Sequence, residues 1–326
     1  MSYRPNGATL DTNQTVTGIK TFGVGDLLMR NAANTASNEP YSDSNPPESL
    51  MMTERVDVPP IPTGGITLFT RSDKARRLLA QIGPNGVDTA LQPALFSNRV
   101  GLLTASMGVA AVQTLGLVTS QAVAPALQAF ATTNFYTRLA RTRYATAATA
   151  NTGGGGPRTT TAQWFLSNTP NLGGFFFVAR FGIGAALAGS RGFIGMTTQT
   201  TAIPTADPST SLNQIGFGWN AAHNNLWLMQ NGTTSVPANH VDLGANFPTK
   251  VSTTDFYEVR LFAPSGVSNS VSWAVTRLNT GASASGTITT GLPAVDTIMA
   301  AHCAVGTSVA TATSLDVQSL YVESDN

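Results

Sequence analysis

The stretch "DFYEVRLFA", residues Asp255 to Ala263, decides the fold. Drawn out as a strand, it places Tyr257, Val259 and Leu261 on one face and Phe256, Glu258 and Arg260 on the other. Wound as a helix, it would set Phe256 beside Val259 and Arg260 and mix charge into the apolar stripe. The two-residue period therefore predicts a strand with one face in a core and Glu258 as a solvated carboxylate on the other.

The same pattern spreads outward from this stretch. "TTTAQWFL", "GFFFVARFG", "RGFIGMTT", "NQIGFGWN", "NLWLMQN", "SVSWAVTRLN", "SGTITTG", "AHCAVG" and "SLDVQSLYVE" all read as short strands. Turn-rich segments such as "NTPNLGG", "NAAHNN", "APSGVSN" and "NTGAS" separate them. Strands at this spacing with Gly, Asn and Pro turns predict an all-β protein whose residues 151–326 form an antiparallel β-sandwich.

Upstream, "NTGGGGPR" (Asn151–Arg158) carries four consecutive glycines, which favour either flexibility or close backbone approach. It marks the expected boundary between residues 64–150 and 151–326. Residues 64–150 read as a β-rich stalk or linking domain. "GITLFT" is its first strand, and "ITLFT" turning at "RSDKARR" into "LLAQIG" reads as a hairpin. A short helix over Arg71–Gln81, capped by Ser72, is the competing reading. "NFYTRLARTRY" alternates Phe135, Thr137 and Leu139 against Tyr136, Arg138 and Ala140, as a strand does. Between them, "LLTASMGVAAVQTLGLVTSQAVAPALQAFA" has weak helical spacing broken by glycines and Pro125. In a monomer it would be core; in a trimer it would line a shared axis. Residues 1–63 are polar and proline-rich and read as an extended region that needs a partner to lie against.

Charged residues make up only 11% of the chain, against about 25% in ordinary soluble domains. Hydroxyls and amides take their place, which suits β-rich extracellular-type architectures and obligate oligomers. Between Asp88 and Asp207 there are seven arginines and no acid; from Asp207 onward eight acids stand against three bases. The arginines are spread thinly without lysine partners, so contact with the acidic end is favoured over a nucleic-acid face. Val100–Val118 is apolar but interrupted by Thr104, Ser106, Gln113 and Thr114, a poor membrane span. The opening "MSYRPNGATL" predicts no secretory leader, so the expected route is synthesis in a cytoplasm and an address set by assembly. Cys303, the single cysteine, reads as a small buried hydrophobe.

Catalytic and cofactor signatures do not emerge. His223, His240 and His302 have no second histidine or cysteine at chelating spacing. "FGIGAALAGSRG" lacks the lysine of a phosphate loop, and neither a "GxSxG" elbow nor a calcium loop occurs. The carboxylates of the C-terminal block read as solvated surface groups. The expectation is a protein with no enzymatic activity, cofactor or metal. What remains is a binding surface at "GWNAAHNNLW", which gathers Trp219, His223, Asn224, Asn225 and Trp227 at a strand–loop–strand connection. Aromatic faces stack on the C–H faces of sugars, and amides supply donors and acceptors for hydroxyls. Arg191 in "GSRGF" is a second candidate. The alternative is that Trp219 and Trp227 pack in the core and the loop is merely polar.

The opening "TNQTVTGIKTF" (Thr12–Phe22) and "ITLFTRSDKARRLLAQIGPNGVDTALQP" (Ile66–Pro93) resemble elements of bacteriophage tail-fibre and virion structural proteins. "LGGFFFVARFG", "FIGMTT", "FYEVRLFAP" and "VTRLNTG" are similar to the lectin-like sandwich of those proteins, while "QAVAPALQAFA" departs from the pattern as an insertion. The resemblance implies a homotrimer in the virion with a jelly-roll or concanavalin-like sandwich tip. It also implies an N-terminal region held by other phage tail or head proteins, and attachment to bacterial surface polysaccharide. In the opening element Thr15, Thr17 and Ile19 would lie on one face of a docking strand and Val16 on the other, with Phe22 at its end. A head fibre or decoration protein without a receptor role, and a polysaccharide-depolymerising tailspike, are the alternatives.

Overall fold

The computed structural model describes residues 54–55, 67–73, 76–82, 88–90, 99–105, 114–115, 117–120, 123–169, 172–185, 188–200, 206–266 and 269–324. Thr15, Val16, Thr17, Ile19 and Phe22 lie outside them. The chain divides into two compact units, one centred on the first four strands and one holding residues 90–326. In the first, β1 (Glu54–Arg55), β2 (Thr67–Asp73), β3 (Arg76–Ile82) and β4 (Asp88–Ala90) hydrogen-bond in that order. Phe69 and Ala80 bury against each other in it. The expected hairpin forms as β2 and β3, and the helical reading of 71–81 does not hold. The strands run further than predicted, through Asp73 and again from Arg76, so most of "RSDKARR" is strand rather than turn.

The second unit is an antiparallel sandwich. Its front sheet runs β19 (Ser283–Ile288), β18 (Val271–Arg277), β17 (Phe256–Ala263), β12 (Phe175–Ala185), β21 (Ser314–Ser324), β5 (Val100–Thr104) and β6 (Thr114–Leu115). β9 (Thr142–Ala145) also pairs with β21, and β8 (Ala126–Leu127) with β9. The back sheet runs β16 (Val241–Asp242), β15 (Trp227–Asn231), β14 (Gln214–Trp219), β13 (Ser190–Thr197), β20 (Ala300–Thr307), β11 (Gly156–Arg158) and β7 (Val118–Ser120). β10 (Thr152–Gly153) also pairs with β20.

One continuous core joins the two sheets. Tyr257, Val259 and Leu261 of β17 enter it, as the two-residue period requires, beside Phe175, Phe177 and Phe181 of β12. Ile194, Ile215, Phe217 and Cys303 meet them from the back sheet. The Phe217 and Trp273 rings touch edge to face across the gap, with centroids 6.2 Å apart.

Four expectations change. Strands on both sides of residue 150 belong to the same two sheets, so the boundary placed there gives way to one sandwich that begins at Val100. "NTGGGGPR" is not a linker but two strands pressed onto β20. A Cβ on Gly156 would stand 1.6 Å from the Cys303 carbonyl oxygen, and one on Gly154 1.9 Å from that of Val305. Of the two readings of the glycine run, close approach is the one that applies. "NFYTRLARTRY" is strand only from Thr142. Before that, the Thr137 amide donates to Asn134 Oδ1 (2.9 Å) and the Asn134 amide to Thr137 Oγ1 (3.2 Å), closing a 3-10 turn at Tyr136–Arg138. "TTTAQWFL" stays irregular: the Thr159 amide donates to the Ala301 carbonyl of β20 (3.0 Å), Thr159 Oγ1 accepts from the Ala301 amide (3.1 Å), and Trp164 bridges to Met299 just before β20.

The outer face of the front sheet carries buried charge. Glu258, expected in solvent, is 6% exposed and pairs with Arg180 (2.5 Å) and Arg260. These guanidiniums hold its carboxyl below the usual range against the opposing effect of burial. Asp316 is fully buried. Arg143 grips it through Nε (2.7 Å) and Nη2 (2.9 Å), Arg141 donates from Nε (3.2 Å), and the Tyr136 hydroxyl donates at 2.8 Å. Arg191 approaches Asp207 at 3.9 Å. The basic middle and the acidic end thus meet within one chain.

Removing one member of a buried ion cluster strands the others without compensation, at ~3–5 kcal/mol. Asp316→Ala is expected to lower unfolding free energy by about that amount, read from chemical denaturation. A loss below ~1 kcal/mol would show that the cluster is not a constraint on the fold.

Candidate functional site

The β14–β15 connection, residues 220–226, is held on a second loop that follows β16. The Leu226 amide donates to the Phe247 carbonyl (2.8 Å), the Leu243 amide to the Leu226 carbonyl (3.1 Å) and the Thr249 amide to the Asn224 carbonyl (2.8 Å). Thr249 Oγ1 adds a bond to the His223 carbonyl (3.2 Å). Two loops tied in this way behave as one rigid surface.

On that surface the His223 imidazole stacks on the Trp227 indole, with centroids 4.4 Å apart and planes 21° apart. Asn225 Nδ2 donates to both Asp242 oxygens (3.1 and 3.4 Å), and Asp242 also accepts from the Gly244 amide (2.9 Å). Asn224 is exposed, while Asn225, His223 and Trp227 are partly so. Partial burial lowers the His223 pKa, helped by Lys250, while Asp207 and Asp242 work in the opposite direction. Behind the stack, Lys250 Nζ donates to the carbonyls of Ser190 (2.9 Å) and Ala221 (3.2 Å), and burial pulls its pKa down to about 8. Asp207 accepts from the Ala221 amide (3.1 Å). An aromatic plane edged by an amide and a carboxylate can stack on one sugar face and bond the equatorial hydroxyls around it.

Four of the six predicted residues come together: His223, Asn224, Asn225 and Trp227. Trp219 does not join them. It is fully buried, its Nε1 donates to Ser190 Oγ (3.2 Å), and its ring lies over Gly192, where a Cβ would stand 2.4 Å from the indole. The alternation Ile215, Phe217, Trp219 is the sequence signal that assigns it to the core face. Arg191 is 4% exposed and donates from Nη2 to the Thr307 carbonyl of β20 (3.1 Å), so it is buried in the back sheet and does not join the loop surface. Asp242, Lys250 and Thr249 went unrecognised, because nothing local links them to residues 223–227.

The other two histidines are structural. His240 Nε2 lies 3.1 Å from Asn231 Oδ1. His302 is buried, with Nδ1 3.3 Å from the Gln199 carbonyl and Arg158 nearby, and burial drives its pKa down to about 4. Among the described residues no three His, Cys, Asp or Glu side chains are grouped to hold a metal, and no helix is long and apolar enough to cross a membrane.

No protein-family model matches the chain, and no curated protein sequence matches it. Solved structures do resemble it. Lectin I of Ulex europaeus, solved with the methyl glycoside of α-L-fucose, is similar at 12% identity and a TM-score of 0.43, covering 70% of this chain and 98% of the lectin. The CBM2 module of the Lactobacillus casei BL23 phage J-1 evolved Dit is similar at 14% identity and 0.41, covering 70% and 98%. A conserved carbohydrate esterase from the Shiga toxin-encoding bacteriophage phi24B is similar at 14% identity and 0.39, covering 65% and 91%. At these scores the likeness is one between β-sandwiches and transfers no function.

Two measurements check the placement of these side chains. Trp219→Ala should cost ~3–5 kcal/mol of stability, as for a large core aromatic, whereas Trp227→Ala should cost a small fraction of that; equal losses would contradict the split between core and surface. His302 takes up a proton near its ordinary value of 6.5 when unfolded but only near 4 when folded. Its contribution is therefore complete above pH ~6.5 and is lost as pH falls toward 4, roughly 3 kcal/mol in all. His302→Gln should flatten that part of the stability–pH curve, and an unchanged slope would exclude His302 as its source.

Proposed function

We propose that this chain is a non-enzymatic bacteriophage virion fibre protein that attaches to its host through sugar contacts on the 220–226 loop. The observation that carries the reading is the His223–Trp227 stack, flanked by Asn224, Asn225 and Asp242 on two mutually anchored loops. A preorganised plane with amides at its edge suits a neutral or weakly polar glycan, and a rigid sandwich is a suitable mount for such loops. The virion assignment is supported by the resemblance of Thr12–Phe22 and Ile66–Pro93 to fibre proteins. In this reading residues 1–63, with Thr15, Val16, Thr17, Ile19 and Phe22, dock on another virion protein. Three chains then present three tips, and linking weak sites raises avidity by ~10²–10⁴ over one site.

The test is adsorption of purified protein to host cells or host polysaccharide. The double variant Asn225→Ala with Trp227→Ala should bind at least tenfold more weakly while its thermal unfolding stays close to that of the parent. Undiminished binding by a folded double variant would remove the loop from the function. Release of reducing ends from polysaccharide would replace attachment with depolymerisation, and a stable monomer at micromolar concentration would remove the trimer.

A further inference from the structure

How His223 sits on Trp227 depends on which of its ring nitrogens carries the proton, and the fold settles that through Asn220. Residues 220–223 form a turn in which the His223 amide donates to the Asn220 carbonyl (3.0 Å). The Asn220 side chain reaches back to Ser209, in the 3-10 turn Pro208–Thr210. Its Oδ1 accepts from the Ser209 amide (3.2 Å), and its Nδ2 donates to Ser209 Oγ (2.7 Å). A backbone amide can only donate, so this pair fixes which end of the Asn220 side chain is oxygen. Ser209 is itself 5% exposed and tied to the sheet, its carbonyl accepting from Asn231 Nδ2 of β15 (2.9 Å). A relay of amides thus runs from β15 through Ser209 and Asn220 to the loop.

The second Nδ2 hydrogen of Asn220 is left for His223 Nε2, 3.5 Å away. At that length the bond is weak, but it chooses between protonation states. A protonated Nε2 would meet the Asn220 N–H donor to donor, whereas a bare Nε2 accepts from it. Nδ1 is buried and meets no partner among the described residues, so it exerts no opposing preference. The neutral Nδ1–H form is therefore the one this loop accommodates, although the side chain in water favours Nε2–H. The doubly protonated ring fits least, because it adds a second donor where neither nitrogen faces an acceptor. The charged groups around the ring come from several elements: Asp207 before the 3-10 turn, Asp242 in β16 and Lys250 in the loop after it, with His240, just before β16, coupled to His223 electrostatically. Burial, helped by Lys250, outweighs the two carboxylates and holds the His223 pKa below its ordinary 6.5.

We propose that Asn220 is the positioning residue of the aromatic plane, holding His223 as the neutral Nδ1–H tautomer flat on Trp227. The consequence for attachment rests on the sugar-binding reading of that plane: acid protonates His223, loosens the stack and weakens the hold on the glycan. The ring is tested first and without a ligand, by NMR of the histidine ring nitrogens on the isotope-labelled full chain at neutral pH, with His223→Gln identifying the His223 signals. Nδ1 should be protonated and Nε2 bare. Asn220→Asp keeps an acceptor for both Ser209 groups but removes the donor that faces the ring. It should move the proton to Nε2 and raise the His223 titration midpoint by about one pH unit or more. A protonated Nε2 in the parent, or a pattern that Asn220→Asp leaves unchanged, would overturn the proposal. Adsorption to host polysaccharide should weaken roughly threefold or more as pH falls through the His223 midpoint, the scale of one neutral hydrogen bond, and Asn220→Asp should weaken at its correspondingly higher pH. Adsorption that follows neither midpoint would overturn the role of the neutral ring. A parent that adsorbs at no pH would remove the attachment reading instead, and the NMR result alone would then decide the part played by Asn220.

Discussion

The Asp316 carboxylate, with no exposed surface, is the constraint on which the front of the sandwich depends. An ion of this size taken out of water costs several kcal/mol unless every lone pair is met. Here the partners arrive from one stretch of chain: Tyr136, Arg141 and Arg143. That stretch must therefore close over the outer face of the sheet. It does so where Gly182 faces it, since a Cβ on Gly182 would stand 2.3 Å from the Tyr136 ring. The Tyr136 ring then meets Phe256 edge to face at 5.3 Å. β9, which carries Arg143, is drawn into register with β21 at Asp316 itself. Electrostatic demand and strand pairing thus specify the same position twice.

The strands of the sandwich were legible because their information is local. In "DFYEVRLFA", as in "QIGFGW", the residues that point inward announce themselves by alternation, and the structure places them there. Two of the misreadings share one physical source, which is that the second partner lay far away in sequence. Glu258 looked solvated because Arg180, its register partner, is 78 residues upstream. "NTGGGGPR" looked like a linker because its need for glycine comes from the carbonyls of Cys303 and Val305. "NFYTRLARTRY" alternates well enough for a strand, yet the reciprocal Asn134–Thr137 bonds and the demand of Asp316 for Tyr136 prevail over that pattern.

The site was half legible for the same reason. His223, Asn224, Asn225 and Trp227 are neighbours in sequence and form one surface, so composition sufficed to gather them. What makes the surface rigid comes from residues 242–250, through Asp242, Phe247 and Thr249. Trp219 was drawn into the group by type, although its phase along β14 belongs with Phe217. Where residue type and strand phase disagree, phase is the better guide, because burying an indole against Gly192 gains more than exposing it would.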